Sequence, residues 1–175
     1  DQLYLIETYY THLNPFYPIL NKDKMNNQLN LCMSGQKCYL SPLFFYALFA
    51  RAAHIADRTT TEDNHTFEEI SQQSMAYAIS LRTSYQDRPR VSTVLALIIL
   101  ANQLEQTKIH DNLTRSWLLA GEAFRLALDM GIHRSGNHDE NDNNGQFCIR
   151  TFWLAYITDC TMSMTYGRPS ATEEK

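Results

Sequence analysis

Apolar residues recur at helical spacing along most of this chain, most clearly from 115 to 135, in the sequence RSWLLAGEAFRLALDMGIHRS. The stripe follows the spacing i, i+3, i+7, i+10 and i+11, at Trp117, Ala120, Phe124, Ala127 and Leu128. Gly121 lies inside this stretch, where glycine costs about 1 kcal/mol relative to alanine. We therefore expect Gly121 to let another helix approach closely, and Gly131 to end the helix at the C′ position.

Five further stretches show the same periodicity. The sequence predicts helices from 3 to 14, 42 to about 57, 66 to about 86, 92 to about 106, and about 147 to 166. Residues 21–37 are polar, rich in asparagine and aperiodic, which predicts a loop with at most one short turn. No stretch favours a strand. The predicted fold class is all-α, an array of about six antiparallel-paired helices without a sheet.

Prolines, glycines and polar runs mark the ends of these elements. Ser41-Pro42 is typical of a helix start, and Gly167 followed by Pro169 of a helix end. The segment from 14 to 20, NPFYPIL, is expected to be extended and anchored by Phe16, Tyr17 and Ile19. Residues 135–146 contain no apolar side chain, which predicts an exposed loop.

Size and composition indicate one ordinary globular domain over residues 1–175. The chain is 44% apolar and 19% charged, and its net charge of −4 disfavours non-specific binding to nucleic acid. No apolar run is long enough to span a membrane, and no signal peptide opens the chain.

Residues that carry chemistry are sparse. The four cysteines, Cys32, Cys38, Cys148 and Cys160, form no C-x2-C pair, so we interpret them as reduced and expect no metal or cofactor. Glu62 with His65 forms a single Glu-x-x-His pattern in a predicted loop, where chance explains it. The acidic residues Asp139, Glu140 and Asp142 are expected to be solvated in the polar loop. No catalytic motif occurs, which predicts that the chain is not an enzyme.

One charged residue is harder to place. Asp159 lies on the largely apolar last helix, where an unpaired buried carboxylate would be costly. Arg125, in the middle of the 115–135 helix, is its natural partner. We predict a structural Arg125–Asp159 pair; the open alternative is that both side chains reach solvent.

Aromatic residues on the same two helices are candidates for a ligand cavity. Phe124, Trp153 and Tyr156 are the first choices, and Trp117 and Phe152 belong to the same group. Aromatic residues at helical spacing also form plain cores, and that alternative stays open.

Several motifs in order resemble one known family. The stretches are VSTVLALIILANQLEQ, RSWLLAGEAFRLALDMGIHRS and CIRTFWLAYITDCTMSMTYGRPSA, preceded by the opening YYTHLNPFYPIL. They resemble the middle homology region of fungal zinc-binuclear-cluster transcription factors. The matching residues are Trp117, Gly121, Ala123, Arg125, Ala127, Met130, Gly131, Ile132, His133, Arg134, Arg150, Phe152, Trp153, Tyr156, Asp159, Gly167, Arg168 and Pro169. The chain departs from the pattern in having one basic residue, Arg150, before Phe-Trp, and no arginine directly after Asp159.

The resemblance implies an all-helical regulatory domain of a transcription factor acting in the nucleus on RNA polymerase II transcription. It implies that DNA is contacted, and zinc held, only by a separate six-cysteine cluster that this sequence does not contain. The family's domain usually continues beyond Gly-Arg-Pro, so a truncated C-terminus is expected.

Three functions follow as hypotheses. The first is a regulatory domain that senses a small apolar effector and engages transcriptional co-regulators. The second is a helical scaffold for homodimerisation or partner docking. The third, an enzyme of the terpenoid-synthase kind, requires helical Asp-rich motifs that are not seen.

Overall fold

A computed structural model of the chain describes residues 2–15, 18, 21–59, 65–86, 89–106, 110–134 and 143–172. Seven helices and no strand occur within these residues, which confirms the predicted all-α class. The helices are α1 (Gln2–His12), α2 (Lys22–Met33), α3 (Pro42–Thr59), α4 (His65–Gln86), α5 (Val91–Gln106), α6 (His110–Asp129) and α7 (Asn143–Tyr166). None of the described helices is long and apolar enough to cross a membrane.

The chain divides into two compact units, Asp1–Ser92 and Thr93–Lys175. In the first unit, α3 packs on α4 and on α1, and α1 also contacts α2. The apolar face of α3 forms the core of this unit, with Leu43, Phe44 and Leu48 fully buried. Ser41 caps α3 as predicted, because the backbone N–H of Phe44 donates to Ser41 Oγ at 3.3 Å.

The helix α2 corrects the sequence prediction of a loop over residues 21–37. Asn21 is its N-cap, and the Asn21 side chain accepts a hydrogen bond from the backbone N–H of Asp23. One face of the helix is buried at Met25, Gln28 and Leu29, which is the spacing i, i+3, i+4. With only two apolar residues in this stripe, the periodicity was too weak to recognise among the surrounding asparagines.

In the second unit, α6 packs on α7. α5 is buried along most of its length, including Val94, Leu97 and Ala101. Ser116 of α6 is also buried, and its hydroxyl donates to the backbone oxygen of Ala101 at 2.8 Å. This hydrogen bond satisfies a buried polar group and links α6 to α5.

Helix ends agree with the sequence to within one or two residues except at two starts. α6 begins at His110 instead of 115, and α7 begins at Asn143 instead of 147. The extra residues are polar apart from Leu113, so they give little of the apolar stripe that marked the rest of each helix. Three groups of residues lie outside the described part of the chain: the proposed anchors Phe16, Tyr17 and Ile19, Glu62 of the Glu-x-x-His pattern, and the acidic residues Asp139, Glu140 and Asp142.

Candidate functional site

The end of α7 turns the chain back along the second unit. Gly167 has φ +61°, a left-handed conformation that favours glycine, as the sequence predicted. The backbone N–H of Gly167 donates to Met164 O, and that of Arg168 to Ser163 O, which together close the helix end. We call residues 168–172, which follow this turn, the return segment.

Side chains of α6 and α7 hold the return segment in place. Trp117 Nε1 donates to the backbone oxygen of Pro169 at 3.1 Å, and Ser163 Oγ donates to the same oxygen at 3.3 Å. Arg168 donates from Nη2 to Thr114 Oγ1 at 2.9 Å, and its guanidinium lies 5.2 Å from the centre of the Trp117 ring. This distance is suited to a cation–π contact. The segment is therefore fixed to both helices.

Asp159 of α7 makes the strongest of these attachments. Its side chain is fully buried, and Oδ2 accepts two hydrogen bonds, from Ser170 Oγ at 2.6 Å and from the backbone N–H of Ala171 at 2.8 Å. Its other oxygen, Oδ1, is buried without a hydrogen-bond partner. Ionised carboxylates have room for several donors, so Asp159 retains an unused acceptor inside the fold.

Gly121 of α6 faces this unused oxygen. A Cβ atom added to Gly121 would lie 3.4 Å from Asp159 Oδ1 and 3.3 Å from both Nη1 and Nη2 of Arg125. These nearest atoms belong to side chains, so the missing Cβ makes room for two charged groups more directly than for the backbone of a neighbouring helix. The structure thus brings together the three residues that the sequence singled out on α6 and α7.

A direct hydrogen bond or ion pair between Arg125 and Asp159 stays a prediction. Both residues approach the same point beside Gly121, but Oδ1 of Asp159 has no hydrogen-bond partner. Arg125 is exposed, whereas Asp159 is buried, so the alternative that both side chains reach solvent does not hold for Asp159.

A cavity of about 170 Å³ opens beside these groups. Its lining combines apolar surface from Trp117 and Leu118 with the two charged side chains and with backbone of the return segment. The lining residues are Trp117, Leu118, Gly121, Arg125, Asp159, Pro169, Ser170 and Ala171. Sequence reasoning missed Leu118 and residues 169–171, since nothing local shows that the chain turns back at Gly167. The signals available were a carboxylate on an apolar helix and the motif Gly167-Arg168-Pro169.

The aromatic residues first proposed as cavity lining lie together at a different place. Phe124 is buried with its ring 6.0 Å from that of Tyr156, and Trp153 lies 5.7 Å from Tyr156. Trp153 is 54% exposed and Tyr156 38% exposed, and none of the three lines the cavity described above. Their role in binding a ligand stays a prediction.

Titratable groups near this site include one with a shifted pKa. Burial and a hydrogen bond from the Tyr166 hydroxyl to Glu105 Oε1, at 3.0 Å, raise the pKa of Tyr166 to about 12. Tyr166 therefore remains a neutral donor at physiological pH. Within the described residues, no group of three or more His, Cys, Asp or Glu side chains is arranged to hold a metal ion.

Comparison with known proteins identifies the family to which this all-helical chain belongs. The chain matches the family model of the fungal specific transcription factor domain over residues 6–175. The chain therefore belongs to this family, and it is a regulatory domain of a fungal transcription factor. No solved structure matches the chain.

Individual relatives agree with this assignment. An uncharacterised transcriptional regulatory protein of Schizosaccharomyces pombe is 21% identical over 97% of this chain and 28% of its own length. The lactose regulatory protein LAC9 of Kluyveromyces lactis is 25% identical over 94% of this chain and 18% of its own length. The transcriptional activator of proteases prtT of Emericella nidulans is 30% identical over 73% of this chain and 17% of its own length. The chain thus spans less than a third of the length of these relatives.

Proposed function

We propose that this chain senses a small effector and thereby sets the activity of a nuclear transcription factor on RNA polymerase II promoters. The observation that carries the proposal is the cavity of about 170 Å³ beside the unused, buried oxygen of Asp159. The lining joins apolar surface from Trp117 and Leu118 to the exposed guanidinium of Arg125, a combination suited to binding a small molecule. The chain acts by binding, without catalysis.

The physical basis of such regulation is a shift between two packings of the helices. An effector changes activity only if it binds one packing more tightly, and a tenfold difference in affinity corresponds to about 1.4 kcal/mol. The return segment is suited to this task because it lines the cavity and is held by side chains of both α6 and α7. Ligand contacts there would alter the same bonds that fix the segment.

The family assignment supports the remaining parts of the proposal. DNA would be contacted, and zinc held, by a separate domain, in agreement with the net charge of −4 of this chain. The partners we propose are transcriptional co-regulators and a second copy of the protein. In this arrangement the chain determines whether the transcription factor is active once its separate domain has bound DNA.

The test compares transcription and DNA occupancy in cells that carry the complete transcription factor. One strain has an in-frame deletion of residues 93–175, and a second has Arg125→Gln, which changes only an exposed side chain at the cavity. We expect both changes to alter transcript levels of the bound genes severalfold while occupancy of their promoters stays unchanged.

Two results would contradict the proposal. Unchanged transcript levels in both strains would show that the chain has no regulatory role. Loss of promoter occupancy in the deletion strain, with no effect of Arg125→Gln, would indicate a scaffold for dimerisation instead.

A further inference from the structure

Two thiols of the first unit lie side by side. Cys32 belongs to the last turn of α2, and Cys38 lies in the segment between α2 and α3. Both side chains are partly exposed, and neither is in a disulfide. A side-chain hydrogen bond joins the two thiols. Sulfur atoms in such contact need only a small side-chain rotation to reach the length of a disulfide bond, about 2 Å.

The turn after α2 produces this contact. Gly35 has φ +69°, a left-handed conformation that favours glycine. Its backbone N–H donates to Cys32 O at 3.2 Å, and that of Gln36 donates to Leu31 O at 2.9 Å. This is the Schellman pattern of a helix end, which reverses the direction of the chain. The reversal brings Cys38 back to the end of the helix that carries Cys32.

Hydrogen bonds hold the returning backbone in place. The backbone N–H of Tyr39 donates to Gln28 Oε1 of α2 at 2.9 Å, and Arg90 Nη1 donates to the backbone oxygen of Cys38 at 3.4 Å. The Cys38 thiol donates to the backbone oxygen of Leu40 at 2.9 Å. The folded protein therefore keeps the two sulfur atoms near each other, and their contact does not depend on a chance meeting of surface side chains.

From this arrangement we propose that Cys32 and Cys38 are a modification site, and that a peroxide converts them into a reversible disulfide. In compartments that keep thiols reduced, the disulfides that do form are mostly transient and redox-sensing. Such sensors place a reactive cysteine next to a second one that completes the disulfide. The pair at the end of α2 has this arrangement.

The reaction balances with hydrogen peroxide as the oxidant. One thiolate attacks a peroxide oxygen, the O–O bond breaks, and the departing hydroxide takes up the proton of that thiol to form water. The product is a sulfenic acid. The second sulfur then attacks the sulfenic sulfur, the S–O bond breaks, and the oxygen leaves with the second thiol proton as another water. The two thiols lose two electrons, and the peroxide gains them.

Oxidation acts at the start of the central helix of the first unit. The disulfide consumes the Cys38 thiol, so the hydrogen bond from this thiol to Leu40 O is lost. Leu40 directly precedes Ser41, which caps α3. The inference does not depend on the effector cavity, since both cysteines lie in Asp1–Ser92 and the cavity is lined by residues of Thr93–Lys175.

The experiment treats the purified protein with hydrogen peroxide, blocks the remaining thiols with N-ethylmaleimide, and maps the cysteines by mass spectrometry. Trypsin cleaves after Lys37, between the two cysteines, so their disulfide appears as a linked pair of peptides, 25–37 and 38–51. We expect this pair to be at least about tenfold more abundant than any other cysteine-linked pair, because neighbouring thiols have a high effective concentration. Dithiothreitol should separate the two peptides.

Variants test whether each cysteine protects the other. In Cys32→Ser or Cys38→Ser the remaining thiol has no partner, so its oxidation should continue to the sulfinic acid, which dithiothreitol does not reverse. The matched control is Cys160→Ser, because Cys160 is also partly exposed but its sulfur lies beside Thr172 Oγ1, at 3.5 Å. This variant should form the linked pair as the wild type does. Circular dichroism checks that all variants are folded.

Two results would overturn the inference. In the first, folded wild-type protein yields Cys32 and Cys38 on separate peptides after peroxide treatment, either unreacted or as sulfinic acids. In the second, either cysteine links preferentially to Cys148, to Cys160 or to a second molecule. Neither result bears on the transcription experiment, which alters only residues of the second unit.

Discussion

Asp159 is the residue that most directly connects sequence to structure in this protein. Its position on an apolar helix predicted that the carboxylate would need partners, and the structure supplies them from Ser170 and Ala171. These partners lie beyond the helix end, so they could not be identified from helical spacing. Arg125, the partner chosen from the sequence, lies close by but leaves one carboxylate oxygen unused.

The hydrogen bonds of Asp159 predict that substitutions at Asp159 and Ser170 have coupled effects on the free energy of unfolding. Removing both by Asp159→Ala should lower the free energy of unfolding by about 2–4 kcal/mol, and removing one by Ser170→Ala should lower it by about 1–3 kcal/mol, since each involves a charged acceptor. Both changes remove the same bond to Asp159, so the double variant should be worse than Asp159→Ala alone only by the hydrogen bonds that Ser170 Oγ makes with Thr172. Urea unfolding followed by circular dichroism measures these differences.

A matched control for this prediction is Asp129→Ala, which removes an exposed carboxylate from α6. It should change the free energy of unfolding by no more than about 0.5 kcal/mol. If Asp159→Ala proves as mild as Asp129→Ala, the attachment of the return segment does not contribute to stability.

At the scale of elements, the turn after α7 determines where the site forms. Gly167 ends the helix with a left-handed residue, after which the return segment lies against α6 and α7. The same device ends α6 at Gly131, with φ +65°. Both glycines were predicted from the sequence, because a glycine followed by a change in pattern is a strong local signal.

Replacement of Gly167 should change the free energy of unfolding only through the cost of its left-handed backbone conformation. A Cβ at this position would meet no atom within 4 Å, so no clash is expected. Gly167→Ala should nevertheless destabilise the protein by about 1–2 kcal/mol, the usual cost of a left-handed conformation for a residue with a side chain. Gly167→Asn should cost less, since asparagine tolerates this conformation better. Equal thermal unfolding midpoints for wild type and Gly167→Ala would contradict this explanation.

A helix was predictable from the sequence when its stripe of apolar residues was long. The strongly periodic helices α3, α5 and α6 were recognised, whereas α2 was not, since its buried face holds only Met25, Gln28 and Leu29. The cavity was not predictable, because it requires the path of residues 169–171 after Gly167. Trp117 was among the aromatic candidates and does line the cavity, but Phe124, Trp153 and Tyr156 pack against one another elsewhere.

At the scale of the whole molecule, tyrosine and cysteine side chains with raised pKa values occur in both units. In Asp1–Ser92, burial is the main cause that raises the pKa of Tyr10, Tyr39 and Tyr85, and it raises the pKa of Cys32, beside Cys38, to about 11. In Thr93–Lys175, burial raises the pKa of Cys148 and contributes most to that of Tyr166. All of these groups are neutral in the folded protein at physiological pH.

These shifts predict that the protein loses stability at alkaline pH. A raised pKa in the folded state means that the unfolded chain loses its proton first, so stability is complete below the unfolded values and falls as pH rises through the folded ones. For Tyr166 the fall should lie between pH 10.0, its ordinary pKa, and about pH 12. Urea midpoints measured across this range should decrease steadily, and Tyr166→Phe should show a shallower decrease. Midpoints that stay constant up to about pH 11, above the ordinary tyrosine value, would contradict the prediction.

The contact between Trp117 and the return segment has a practical consequence. Trp117 is partly buried, bonded through Nε1 to Pro169 and covered by the Arg168 guanidinium, whereas Trp153 is 54% exposed. The two indoles of this chain therefore differ in polarity of surroundings and in access to a dissolved quencher such as iodide. The intrinsic emission of the protein contains a shielded component, from Trp117, that reports whether the return segment is in place, and an accessible component, from Trp153, that serves as its internal reference.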